Sequence, residues 1–261
     1  MPLSGDDLLR ASGQTLLSLA IIAGLRLCIW HAGRRVAAIL LGTPVLIFVL
    51  LSLQALQGTP VNQPVLAGTI SAATALNCAL WAVRSPLGGR RLVMLAVFAA
   101  AWLGINSAVY LLAPPTRLLA GLILVNGASL LAWYRQPPHA APAVPRGRLT
   151  DAALPTITFL FLFFVTTRLV PDFVRGILIS FPVLLLPTLD FVHRTFDQEL
   201  FSDFVARTQI AVLSNSVFVV SVYAALAYMP ATVVLIPGLL LSVAATMAIQ
   251  RCWEQQERAR A

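Results

Sequence analysis

Long apolar runs separated by short polar breaks dominate the chain. Nine of them are long enough to cross a bilayer as helices: 12–31, 36–56, 64–83, 92–113, 117–134, 151–170, 173–192, 206–228 and 231–250. A spanning helix needs about 20 mostly apolar residues. Several breaks carry Pro, Gly or Arg, which mark helix ends at an interface. Trp30, Trp133, Tyr134 and Trp253 stand near run ends, where interfacial aromatics belong. Only Met229-Pro230 separates the eighth run from the ninth, which predicts a tight helical hairpin. A single helix of about 45 residues would measure about 67 Å, too long to span once. The expected fold class is all-α, a polytopic transmembrane helical bundle of about nine spans. An eight-span version, with the first run lying on the surface, is the main alternative.

Composition agrees. Hydrophobic residues make up 59% of the 261 and charged residues only 11%. Mean hydropathy is +0.85. About 25% charge is usual for a soluble domain, so most of this surface expects lipid as its solvent. Net charge is +8, with Arg as every basic residue. In this setting the Arg residues read as topology signals and contacts to membrane lipid rather than as a nucleic-acid surface. Absence of Lys excludes Lys-based Schiff-base chemistry. Cys28, Cys78 and Cys252 form no metal or disulfide pattern, and no cofactor is expected. The N-terminus, with Asp6 and Asp7, lacks the basic region of a cleavable signal peptide, so the first run is expected to be retained.

Charge also orients the runs. With nine spans, 13 Arg fall on one side, 4 (Arg10, Arg117, Arg168 and Arg175) on the other, and Arg26 within the first run. The positive-inside rule puts the Arg-rich side and the C-terminus in the cytoplasm and the N-terminus outside.

The runs repeat. Gly68 corresponds to Gly176 at an offset of 108, Asn106-Ser107 to Asn215-Ser216 at 109, and Asn126-Gly127 to Pro237-Gly238 at 111. Pro44 and Pro155 stand early in the second and sixth runs, each preceded by Arg35 or Arg148. Runs two to five therefore recur as runs six to nine. The expected organisation is an extracytoplasmic N-terminus and extra first span in 1–34 and a four-helix repeat in 35–134. A Pro-rich cytoplasmic linker follows in 135–149, then a second repeat in 150–250 and a cytoplasmic tail in 251–261. Four spans per unit makes the repeats parallel, a plan known among transporters and equally produced by simple fusion of a four-helix dimer.

Within the second unit, Phe173-Val-Arg-Gly176-Ile-Leu-Ile-Ser-Phe181-Pro182 resembles the aromatic-x-x-Gly-x4-Phe-Pro signature of the small four-span GlpM-type bacterial membrane proteins. The chain departs from that pattern where Asp190-Phe-Val-His193 replaces a shorter His-containing tail. The resemblance implies a multi-pass protein of the bacterial inner membrane with a role in envelope or exopolysaccharide production, without implying a reaction.

Ionisable groups at membrane depth are the natural site candidates. Arg168, Asp172 and Arg175 cluster in the outer connection between runs six and seven, where two guanidinium groups could hold a phosphate or carboxylate. A plain salt-bridged loop explains them as well. Asp190 follows Pro182 and Pro187, which can break the seventh run and free carbonyls beside a carboxylate. Pairing with His193 or Arg194 is its structural alternative. Arg26, five residues before His31, reads mainly as a snorkelling side chain. Asn77, Asn106, Asn126, Ser214, Asn215 and Ser216 lie in apolar runs and should face other helices, with Asn106 and Asn215 candidates to meet across a central pathway.

The loop 193–207 alternates Asp197, Glu199 and Asp203 with Phe196, Phe201 and Phe204, a pattern of a short surface helix that would dock a protein partner. Enzyme chemistry is not expected: the three His belong to no metal spacing, and no phosphate loop or nucleophile elbow occurs. Two functions remain. One is a small transporter, or translocator of a lipid carrier, working between the repeats on an anionic or lipid-linked substrate. The other is a non-catalytic subunit scaffolding an envelope assembly.

Overall fold

A computed structural model describes residues 12–13, 15–16, 20, 43–56, 58–83, 91–134, 170–180, 185, 189, 193 and 198–260. All secondary structure among these residues is helical. In chain order the elements are α1 (Val45–Leu56), α2 (Gln63–Val83), α3 (Arg91–Leu111), α4 (Pro114–Tyr134), α5 (Asp172–Ile179), α6 (Gln198–Ala211), α7 (Leu213–Ala225) and α8 (Ala231–Arg260).

Four stretches of the described residues are long and apolar enough to cross a membrane: Gln63–Val83, Val93–Leu111, Phe201–Ala225 and Ala231–Trp253. Ile47–Leu56 and Thr116–Leu131 are shorter apolar helices. Most of the expected first run and nearly all of the sixth fall outside the described residues, as does half of the seventh. The count that the described residues carry is thus four rather than nine.

Helix α2 is the hub. Of its most apolar window 83% is buried inside the protein, against 28% for Val93–Leu111 and 28% for Ala231–Trp253. Its sequence explains this position. Gly68, Thr69, Ser71, Ala72, Ala73, Thr74 and Ala75 are small, so neighbouring helices approach closely on several sides. α3, α4 and α5 pack directly on it, and α6 and α7 touch it from the second half of the chain. Gly121 of α4 faces α2, where a Cβ would lie 2.8 Å from Ile70 Cγ2. Next to it Thr74 donates to the Gly121 carbonyl at 2.9 Å. The outer helices α3, α4 and α8 instead expose Leu103, Leu119, Ile123, Ile236, Leu240 and Leu241, as lipid-facing surfaces do.

The hairpin expected at Met229-Pro230 is present. α7 ends at Ala225, the chain turns, and α8 starts at Ala231 and packs against α7. Gly238 allows the approach, with Val222 Cγ2 3.0 Å from where its Cβ would be.

One expectation changes. The described part of the 193–207 segment, from Gln198, belongs to a helix that packs into the bundle rather than lying on its surface. α6 carries Phe201, Phe204, Val205 and Ala206 buried, together with Asp203 and Arg207. Its charges face inward because they satisfy one another: Arg207 Nε donates to Asp203 Oδ1 at 3.0 Å. α8 continues without a break into the tail expected at 251–261, which is helical as far as Arg260. At 30 residues it is about 45 Å long, beyond the roughly 30 Å of a hydrocarbon core. Trp253, expected as an interfacial aromatic, is fully buried against Ala206 and Ile210, with the Arg207 guanidinium 4.7 Å from its ring centroid, while Arg251, Cys252, Gln255 and Gln256 around it are exposed.

Candidate functional site

The outer-loop cluster becomes a structured site where α2 and α5 begin. Each helix start is written in its local sequence. Asn62 caps α2: its Oδ1 accepts from the Val65 amide at 3.2 Å, and Pro64 occupies the first turn, where a missing N–H costs nothing. Pro171 precedes α5, and Asp172 lies in its first turn, where the helix dipole favours a carboxylate. One network joins the two starts. Asn62 Nδ2 donates to Asp172 Oδ2, and Arg175 pairs with Asp172 Oδ1. Both carboxylate oxygens are thus engaged. Arg175 is only 5% exposed. It is therefore held inside the helix junction and does not open to solvent as an anion hook.

One turn deeper the two helices touch backbone to backbone. A Cβ on Gly68 would overlap the Phe173 carbonyl oxygen and lie 3.0 Å from Gly176 Cα. A Cβ on Gly176 would overlap the Val65 carbonyl oxygen and lie 2.9 Å from Gly68 Cα. Only glycine fits at either position. α5 then stops at Ile179, just before Pro182 denies the helix a continuing N–H.

Above this crossing lies a cleft of about 430 Å³, lined by Gln63, Pro64, Ala67, Tyr110, Pro114, Arg117, Pro171, Asp172 and Phe173. Arg117 is its central cation. Nε donates to Leu112 O at 2.9 Å and Nη2 to Tyr110 O at 2.6 Å, which caps the C-terminus of α3. The guanidinium also lies 4.9 Å from the Tyr110 ring and 5.0 Å from that of Phe173, a stacked arrangement typical of Arg. Sequence reasoning placed Arg117 on the outer side but did not join it to the cluster. The contact runs from the α3–α4 turn to α5, far apart in the chain.

A second polar centre lies deep in the bundle. Asn77 Nδ2 donates to Ser129 Oγ and, at 3.4 Å, to Gln209 O. Gln209 Nε2 returns bonds to Asn77 O at 3.0 Å and Asn77 Oδ1 at 3.1 Å. All three side chains are fully buried and join α2, α4 and α6. Asn77 was legible as an interhelical group, whereas Gln209 and Ser129 were missed. A lone Gln inside an apolar run was the available signal.

Asn126 behaves differently, donating only to Leu122 O of its own helix at 2.8 Å. The contrast yields a prediction. Asn77→Leu should lower the stability of the solubilised protein by about 1–2 kcal/mol, since it removes the side chain's interhelical bonds to Ser129 and Gln209 and leaves Gln209 Nε2 its bond to the residue-77 carbonyl. Asn126→Leu should change it by less than about 0.5 kcal/mol. Thermal unfolding of both variants in one detergent decides this, and equal losses would show that the node holds nothing together.

The proposed meeting of Asn106 and Asn215 is corrected. Ser71 Oγ of α2 donates to Asn106 Oδ1 at 2.9 Å, and Asn106 Nδ2 donates to Trp102 O at 2.8 Å. Asn106 therefore faces the hub. Asn215 is buried on α7, with its Oδ1 unpaired among the described residues. Ser214 bonds its own turn at Ala211 O. Arg168, Asp190 and Arg26 lie outside the described residues. No group of three or more metal-ligating side chains occurs among the described residues.

Compared with known proteins, the chain matches no family model, and neither a curated protein nor a solved structure is found similar to it.

Proposed function

We propose that this chain is a small translocator of the bacterial inner membrane, with about nine spans, N-terminus outside and C-terminus in the cytoplasm. In this reading one extra helix precedes two parallel four-helix repeats, and an anionic or lipid-linked substrate moves along the seam between them.

One observation carries the reading: the reciprocity of the α2–α5 crossing. Gly68 meets the Phe173 carbonyl, and Gly176 meets the Val65 carbonyl. Adding 108 to Val65 and Gly68 gives Phe173 and Gly176. Reciprocal contacts between equivalent residues are what a twofold axis through an interface generates. Parallel repeats related along the membrane normal would put that axis through this crossing. The Phe173-x-x-Gly176 part of the GlpM-type signature then has a physical meaning, because it supplies the carbonyl and the gap that the crossing needs.

A scaffolding role has less support. It rests on the GlpM-type resemblance and on 193–207 as a docking helix, and of these the second is weakened because α6 turns Phe201, Asp203, Phe204 and Arg207 inward.

Flux tests the proposal. Vesicles holding the purified protein and a fluorescent phosphatidylglycerol should exchange that lipid between leaflets at least about tenfold faster than protein-free vesicles, read by quenching of the outer leaflet with dithionite. Unchanged exchange of phosphatidylglycerol and of a polyprenyl phosphate would remove the translocator reading.

A further inference from the structure

We infer that the cleft above the α2–α5 crossing binds the phosphate group of a lipid-linked anion through Arg117. The inference rests on the translocator reading for the side of the membrane on which the cleft opens, but not for the site itself.

Charge within the cleft decides the sign of its ligand. Asp172 is the acidic residue of the lining, and both its oxygens are engaged by Asn62 and Arg175. Arg117 has no carboxylate partner among the described residues, and with Asp172 offset by the adjoining Arg175 it is the charge left to meet a ligand in the cleft. A guanidinium carries five N–H donors in a planar fork. Arg117 directs two of these at Leu112 O and Tyr110 O. Its remaining donors suit a tetrahedral oxyanion, the geometry at which Arg excels. Stacking against Tyr110 and Phe173 holds the guanidinium plane in place, so little freedom is lost when an anion arrives.

The surroundings choose a lipid over a free ion. Arg117 sits in the first turn of α4, and near it in the chain Leu111, at 83%, and Leu119, at 60%, are exposed apolar side chains such as an acyl or prenyl chain covers. The remaining lining is largely Pro, Ala and aromatic, which favours an amphipathic occupant.

Native mass spectrometry of the full chain in detergent tests the site, with three probes: short-chain phosphatidylglycerol, a diacylglycerol of the same chains, and inorganic phosphate. Saturable binding of phosphatidylglycerol, none of diacylglycerol, and no competition by millimolar inorganic phosphate are expected. Arg117→Gln should weaken phosphatidylglycerol binding at least about tenfold, the worth of a charge-assisted hydrogen bond. Because Arg117 also caps α3, a second variant keeps the fold out of question. Gln63→Glu places a carboxylate at the exposed first residue of α2, where the helix dipole tolerates it, and should weaken binding about as much. Wild-type affinity in both variants, equal binding of diacylglycerol, or displacement by inorganic phosphate would each overturn the assignment. Binding without leaflet exchange removes the translocator and leaves the site standing, while exchange without binding removes the site alone.

Discussion

Gly68→Ala and Gly176→Ala are each expected to lower the stability of this protein by about 2 kcal/mol, whereas Gly104→Ala and Gly127→Ala leave it unchanged or slightly raised. The added atom is one methyl in every case. At Gly68 and Gly176 it lands on a backbone carbonyl of the opposite helix, which cannot rotate away as a side chain tip would. α2 and α5 must then separate, and every other contact of the junction loosens with them, including Asn62 to Asp172. Overpacking costs about 1–3 kcal/mol at sites that can partly relax, and backbone contacts lie at the upper end. Ala gains back only about 1 kcal/mol of helix propensity. Gly104 and Gly127 have nothing within 4 Å of the new atom, so that gain is all that remains there. Yield of monodisperse protein and its thermal midpoint in detergent separate the two pairs. If Gly68→Ala proved as stable as Gly104→Ala, the close crossing, and with it the argument for a twofold seam, would be refuted.

Asp203→Ala should be more damaging still, for an electrostatic reason. Arg207 Nε donates to both Asp203 oxygens, at 3.0 and 3.2 Å, and neither residue is more than 6% exposed. Removing the carboxylate leaves a guanidinium buried beside the Trp253 ring. Breaking a buried pair from one side typically costs about 3–5 kcal/mol. For a chain of this size that is a fall of roughly 6–20 °C in Tm. Replacing both charges, as Asp203→Ala with Arg207→Met, should recover most of the loss, because it also removes the buried guanidinium that has lost this carboxylate. A double variant as unstable as Asp203→Ala alone would place the energy elsewhere in α6. The same pair fixes the end of α8. Gln250 Nε2 donates to Arg207 O at 3.3 Å, so loss of the pair should also expose Trp253, visible as a red shift of its fluorescence.

Much of this architecture was legible in the chain itself. Apolar runs have no stable alternative to helix in lipid, so Gln63–Val83, Val93–Leu111, Phe201–Ala225 and Ala231–Trp253 could be read directly, and so could the hairpin at Met229-Pro230. Gly68 and Gly176 stood out by their spacing alone. Asp172 and Arg175 were recognisable as partners because three residues on a helix bring side chains together. What the sequence did not contain was direction. A helical period shows that α6 is amphipathic but not whether its charged face meets water or the partner helix. Packing placed Asp203 and Arg207 inside. Likewise, the polar residues of the runs promised interhelical bonds without naming the partners. Asn106 found Ser71, 35 residues away, and Asn77 found Gln209, 132 away. Arg117 joined the Asp172 cluster only because α3, α4 and α5 all pack on the small-residue surface of α2. Periodicity and hydropathy are local quantities and determine which segments enter the membrane. The choice among neighbours depends on how closely backbones can approach, and only the tertiary structure decides that.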